Sequence, residues 1–172
     1  SVLWLRKSND WSVLNFIHEA EKRGIDPSRL IFADRAPMDE HLARHKLADL
    51  FLDTFSFNAH TTATEALWSG LPVVTKLGKS FPARVAGSLL TSIGMSELIT
   101  KTEEEYEALI YDLATNPEKL KIIKSKISKT RQSSSLFDTE RYTKNIEKGY
   151  EQVYQRFFDG YKPELINVEE NK

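Results

Sequence analysis

His60, Thr61 and Thr62, with Glu65 three positions further on, are the strongest chemical signal in the chain. Ala63, Ala66 and Leu67 follow at helical spacing, so the polar trio falls at a helix start. At such a start, free backbone N–H groups and the positive end of the helix dipole attract an anion. Two hydroxyls and an imidazole add the charge-assisted donors that suit a phosphate. Plainer readings compete for the same residues. Thr serves as an ordinary N-cap without any ligand. Thr62-Ala63-Thr64-Glu65 also fits a capping box, in which the acid closes back on the helix start. As a ligand residue, Glu65 would instead accept both hydroxyls of a ribose, as acidic residues do in dinucleotide folds.

The remaining candidates are weaker. His41 and His45 stand at i, i+4, which is metal-ligand spacing, but a third ligand is not evident and no metal is assigned. His18 and His45 read as structural or exposed. Arg84 lies opposite an apolar helix face and is as well explained by solvation. Lys119, Lys121, Lys124, Lys126, Lys129 and Arg131 make one helix basic, yet no aromatic residues interleave them as a nucleic-acid surface would require. A solvated face is expected there. Trp4, Trp11 and Trp68 read as core. With no cysteine, disulfides, thiolate zinc sites and a cysteine nucleophile are excluded. The 24 basic and 25 acidic residues nearly cancel, so no global field points to nucleic acid or membrane. No apolar run approaches the ~18 residues of a membrane span, and no signal-peptide pattern shows. A soluble, cytoplasmic protein is the expectation. Ser1 leads straight into the apolar Val2-Leu3-Trp4-Leu5, which reads as a piece of a longer chain.

Elements that would position these residues follow from the apolar pattern. Leu47 to Leu52 is a near-continuous apolar run closed by Asp53, suited to a parallel strand covered on both faces. Gly70 and Pro72 end the helix after Thr62, and Val73-Val74-Thr75 starts the next strand. Upstream, Val2–Leu5 and Leu30–Ala33 read as strands around a helix capped by Asn9-Asp10. Pro37 and Asp39 open a short helix through His45. Downstream come a helix over Val85–Ile93, a short edge strand at 97–100, and then helices only. Thr102 with Glu105 forms a capping box, and Asn116-Pro117 and Asp138 or Thr139 start the last two helices. Alternating strands and helices predict an α/β, doubly wound parallel sheet with right-handed crossovers, ending in a run of helices. Ligands in such sheets bind beyond the carboxyl ends of the strands, here loops 33–38 and 54–62. Residues 1–165 are expected to form one lobe, and the acidic residues 166–172 a disordered tail.

Beyond these patterns, the stretch LDTFSFNAHTTATEALWSGLPVVT resembles the O-GlcNAc transferase family, protein O-glycosyltransferases with a GT-B fold. The resemblance extends to Ala36-Pro37 followed by His41 and Arg44, to Leu47-Ala48-Asp49, and to Ala83-Arg84-Val85-Ala86, in family order from about Ser1 to Pro163. It implies the C-terminal, Rossmann-like lobe that binds the donor UDP-GlcNAc, with metal-independent displacement at the anomeric carbon by a Ser or Thr hydroxyl. It further implies that His60, Thr61 and Thr62 embrace the diphosphate and that Glu65 takes the ribose. His41 would pack on the uracil with Arg44 close by, and the Ala36 backbone would pair with the base edge. Met38 departs from the Lys often found at its position. The family's N-terminal lobe and tetratricopeptide repeats, through which an acceptor protein would be met, are not in this sequence; nor is the strand-helix unit with a Gln and a Lys near the diphosphate. No catalytic residue is therefore assigned. Rival readings are a GDP-fucose-using relative, a non-catalytic nucleotide-binding module, and a basic-helix interaction domain. The first would answer to GDP rather than UDP, the second would bind without transferring, and the third would bind nucleic acid with a steep salt dependence.

Overall fold

The computed structural model describes residues 1–169. The chain falls into two compact units, Ser1–Arg44 and His45–Lys172. In the first, β1 (Leu3–Arg6) and β2 (Leu30–Ala33) pair in parallel, with Leu3 opposite Leu30 and Arg6 opposite Ala33. Between them runs α1 (Asp10–Lys22), and α2 (Met38–His45) follows β2. Asn9 caps α1 by accepting from the Ser12 amide, while the Ser12 hydroxyl answers the Asn9 amide, a complete capping box. Val13, Ile17 and Ala20 form the covered side of α1, and Phe16 meets Phe32 of β2 with ring centroids 6.4 Å apart.

Trp11 stands two positions before Val13, on the far side of the helix, and is 78% exposed. Trp4 and Trp68 are also exposed, so the three tryptophans are not core. Hydrophobicity named them as buried, but Trp11 lies on the side of α1 opposite the covered Val13, and Trp4 lies on a sheet of only two strands. Trp68, in the second unit, is dressed at the surface by Phe137, 5.1 Å away edge-on, and by the Arg131 guanidinium at 5.7 Å.

The second unit holds the core. β3 (Phe51–Leu52), β4 (Val73–Lys76) and β5 (Ile99–Thr100) form a parallel sheet in the order β3-β4-β5. The helices are α3 (Thr61–Trp68), α4 (Val85–Ser92), α5 (Glu103–Thr115), α6 (Pro117–Thr130) and α7 (Thr139–Phe158). Val73 and Val74 of β4 are fully buried among Ala66 and Leu67 of α3, Leu90 of α4 and Leu113 of α5, in one continuous apolar cluster. The expected strand over 47–52 contracts to two residues. Residues 46 and 47 turn as the chain leaves α2, with the Ala48 amide bonding the His45 carbonyl at 3.2 Å, so Leu47 is left exposed. Gly70 (φ 84°) and Gly94 (φ 72°) end α3 and α4 in the left-handed region that favours glycine.

Helix starts in the second unit follow side-chain chemistry. Thr102 accepts from the Glu105 amide at 3.1 Å, but the Glu105 carboxylate reaches past the cap to the Lys101 amide at 2.7 Å. The box expected there is thus displaced by one residue. Asn116 caps α6 and Asp138 caps α7. None of the twenty residues of α7 is buried, and Tyr142, Ile146, Tyr150, Val153 and Phe157 line an exposed face. Residues 166–169 run without helix or strand, the Glu169 carbonyl accepting from Lys148 Nζ at 2.9 Å; residues 170–172 of the expected disordered tail lie outside the described residues. Among the described residues, no helix is long and apolar enough to cross a membrane.

Candidate functional site

The eight residues singled out for nucleotide binding fall four to each unit. In the first unit, β2 ends at Ala33 and its loop carries Asp34 and Ala36 to the start of α2, where Met38 is exposed and His41 and Arg44 stand one turn apart. Arg44 donates to the Asp34 carbonyl at 2.9 Å and to His41 Nδ1 from both Nε (3.1 Å) and Nη2 (2.7 Å). A guanidinium has no acceptor, so His41 Nδ1 must accept and the ring proton sits on Nε2. Arg44 therefore fixes both the orientation and the tautomer of His41. Lys7, Asp10, Val13, Leu14, Phe32 and Asp34 line an open cleft at the carboxyl ends of β1 and β2. His18 is exposed and His45 buried, neither beside a metal-like cluster: among the described residues no three His, Asp or Glu side chains are grouped to hold a metal ion.

In the second unit, β3 delivers the chain through residues 53–59 to α3. His60 occupies the N-cap but its side chain makes no cap hydrogen bond. The Thr64 amide is the first to bond back, to the His60 carbonyl at 3.1 Å. The amides of Thr61, Thr62 and Ala63 thus stand at an uncapped helix start, and Thr61 and Thr62 are exposed. Thr62 lies at the second helical position, already inside the first turn, so the Thr62–Glu65 capping box is not formed. Glu65 sits one turn further, half-buried, on the face shared with Thr61 and Thr62. The Thr61 and Thr62 reading as simple side-chain caps fails on the same geometry.

Aromatic residues surround His60. Its ring stacks on Phe57 with centroids 4.7 Å apart and planes 16° from parallel, and Phe81 meets it edge-on at 6.2 Å. Phe57 and Phe81 are exposed, and His60 Nε2 lies 3.4 Å from the Pro82 carbonyl. Beneath the loop, Asp53 is only 4% exposed. Burial raises its carboxyl above the usual range, against hydrogen bonds from Thr75, Ala59 and Thr54 and the nearby charge of His60. Tyr106 of α5 donates to the Asp53 carbonyl at 2.9 Å; burial, then the charge of Asp53, pushes its phenol up to about 12. The strand-end rule marked the loop that holds Phe57, but nothing in the sequence patterns pointed to Phe81 or Tyr106, or gave Asp53 a role. A carboxylate closing an apolar run was the one signal available.

Arg84 is exposed and donates to the Gly78 carbonyl at 3.1 Å, tying down the turn that carries Phe81. The basic helix α6 is largely answered: Lys119 pairs with Asp112, Lys124 with Asp49 and Lys126 with Glu97. Three of the five lysines of α6 are thereby matched, which weakens any nucleic-acid reading.

Comparison with known proteins adds a family. The sequence model of glycosyl transferase family 41 matches residues 1–146. A probable UDP-N-acetylglucosamine–peptide N-acetylglucosaminyltransferase (SEC) of Arabidopsis thaliana is 37% identical over 99% of this chain and 18% of its own length. The UDP-N-acetylglucosamine–peptide N-acetylglucosaminyltransferase of Caenorhabditis elegans is likewise 37% identical, over 93% of this chain and 14% of its own. Among solved structures, a mutant O-GlcNAc transferase of Thermobaculum terrenum superposes with a TM-score of 0.84 at 29% identity, covering 90% of this chain and 30% of that one. The parallel α/β architecture is the one expected from the sequence, and the chain spans only a small part of the relatives it matches.

Proposed function

The chain belongs to glycosyl transferase family 41, and from that premise we propose that it is the donor-binding lobe of a UDP-GlcNAc:protein O-N-acetylglucosaminyltransferase. The observation that carries the reading is the uncapped start of α3, where His60, Thr61 and Thr62 stand beyond the carboxyl end of a parallel strand. In this reading the amides and hydroxyls of Thr61 and Thr62, with His60, receive the diphosphate of the nucleotide sugar. Glu65 accepts the ribose hydroxyls. In the first unit, the His41 ring, held by Arg44, packs on the uracil and the Ala36 backbone pairs with its edge; Met38 contributes no charge there.

The reaction is an inverting displacement. A Ser or Thr hydroxyl of an acceptor protein attacks the anomeric carbon and gives up its proton, a new C–O bond forms, the C–O bond to the diphosphate breaks, and UDP leaves with the bonding electrons. Charge builds on the diphosphate as it departs, so the contribution of α3 is electrostatic: fixed donors aimed where the negative charge develops. No residue of this chain is assigned as the base.

The test separates diphosphate from nucleoside. Replacing Thr61 and Thr62 together by Val keeps shape and removes two hydroxyl donors to a charged group, a loss of about 2–4 kcal/mol. UDP binding, followed by NMR titration of the chain, should weaken accordingly while uridine binding hardly changes. UDP should also compete better than GDP. Equal losses for UDP and uridine would show that the threonines do not meet the diphosphate.

A further inference from the structure

We propose that Asp53 is the positioning residue of the diphosphate end of the site: one buried carboxylate staples both ends of the 54–59 loop and so sets where His60 and the first turn of α3 stand. The proposal rests on the donor reading above and gives that site its internal support. Asp53 Oδ1 accepts from the Thr54 amide at 2.9 Å and from the Ala59 amide at 2.6 Å, the first and last residues of the loop. Its other oxygen accepts from the Thr75 hydroxyl at 2.6 Å, which roots the loop on β4, the central strand. Tyr106 of α5 holds the Asp53 carbonyl from the other side.

Inside the staple the loop is closed by its own bonds. Thr54 Oγ1 donates to the Phe57 carbonyl at 2.5 Å, and Asn58 Nδ2 to the Thr54 carbonyl at 2.7 Å. The Asn58 amide reaches the Pro82 carbonyl at 2.9 Å. Because Ala59 immediately precedes the N-cap His60, a displacement of Ala59 displaces the amides of Thr61 and Thr62 with it. A carboxylate suits this position because its two oxygens can serve three donors at once, which a hydroxyl cannot. Burying a charge is costly unless it is hydrogen-bonded, and here all three donors are neutral groups placed to offset that cost. Asp53 itself is too buried to touch a ligand, so it acts through the loop.

The experiment uses the full chain with Asp53→Ala and Asp53→Asn, reading UDP and uridine affinity and backbone amide exchange. Asp53→Ala should lower UDP affinity about 30-fold or more by misplacing charge-assisted donors, with uridine unchanged. Exchange protection should be lost at Thr54 and Ala59 and kept at the amides of β4. Asp53→Asn retains an oxygen for both loop amides and should restore most of the UDP affinity, which a demand for the charge alone would not allow. If Asp53→Ala does not fold, Asp53→Glu, which keeps the charge but shifts it by one methylene, should show the same split between UDP and uridine. The proposal is overturned if the loop amides lose protection while UDP affinity holds, if UDP and uridine weaken together, or if Asp53→Asn falls as far as Asp53→Ala. A wild-type chain that binds no UDP would instead sink the donor reading and the proposal's ligand with it, while amide exchange at Thr54 and Ala59 still decides the staple.

Discussion

At the scale of single residues, the site separates contact from support. In the proposed function Glu65 takes the ribose, a role that suits a half-buried carboxylate one turn from the helix start. Glu65→Gln should therefore weaken UDP binding by about tenfold, the cost of one hydrogen bond to a charged acceptor, and leave pyrophosphate binding unchanged. A silent substitution in a calorimetric titration would remove Glu65 from the site. Tyr106 is a support residue with a pH signature. Its phenol titrates near 10 when unfolded and at about 12 when folded. The raised value means the stabilisation is fully present below about pH 10 and is lost as pH rises towards 12. Tyr106→Phe should cost about 1 kcal/mol at neutral pH through the lost hydrogen bond. Its unfolding midpoint should then fall less steeply than the wild type's between pH 10 and 12. Parallel slopes would mean that Tyr106 is not buried against Asp53. The helix start at His60, Thr61 and Thr62 was legible in the sequence because it is a local pattern. Asp53 was not, because its partners Ala59, Thr75 and, at its carbonyl, Tyr106 lie 6, 22 and 53 positions away.

At the scale of elements, caps and stops were legible and strand lengths were not. Asn9, Thr102, Asn116 and Asp138 each satisfy a helix-terminal amide locally, so their positions follow from residue type. The extent of β3 depends on where a partner strand lies and on the turn that takes up the residues before it, neither of which the apolar run over 47–52 encodes. The turn from Gly78 to Ala83 gives this scale its own prediction. A Cβ added at Gly78 would stand 2.5 Å from the Ala83 Cβ and 3.2 Å from its carbonyl oxygen. Backbone must move to admit it, at a cost of about 1–3 kcal/mol. At Gly87 an added Cβ meets the end of the Leu77 side chain at 2.7 Å, and that end can rotate. Ala is also favoured over Gly in a helix interior by about 1 kcal/mol. Thermal unfolding should thus show Gly78→Ala clearly destabilised and Gly87→Ala near wild type; the reverse order would contradict the packing described.

At the scale of the whole molecule, stability is unevenly shared. The continuous apolar cluster lies wholly in the second unit, whereas Ala20 is the one buried hydrophobic residue of the first. Residues 45–172 produced alone should unfold cooperatively, since they keep that cluster and all three strands of its sheet. Residues 1–44 alone should show no cooperative transition by circular dichroism. A sharp transition in the short piece, or none in the long one, would overturn this partition. The exposed aromatic face of α7 has a practical consequence for all such measurements. Tyr142, Tyr150, Phe157 and Phe158 stand more than half exposed along one helix, so a fluorescent dye that lights up on hydrophobic surface will find one on the native protein. Dye emission will be high before any heating, and melting followed by that signal will report the dye leaving α7 as much as the chain unfolding.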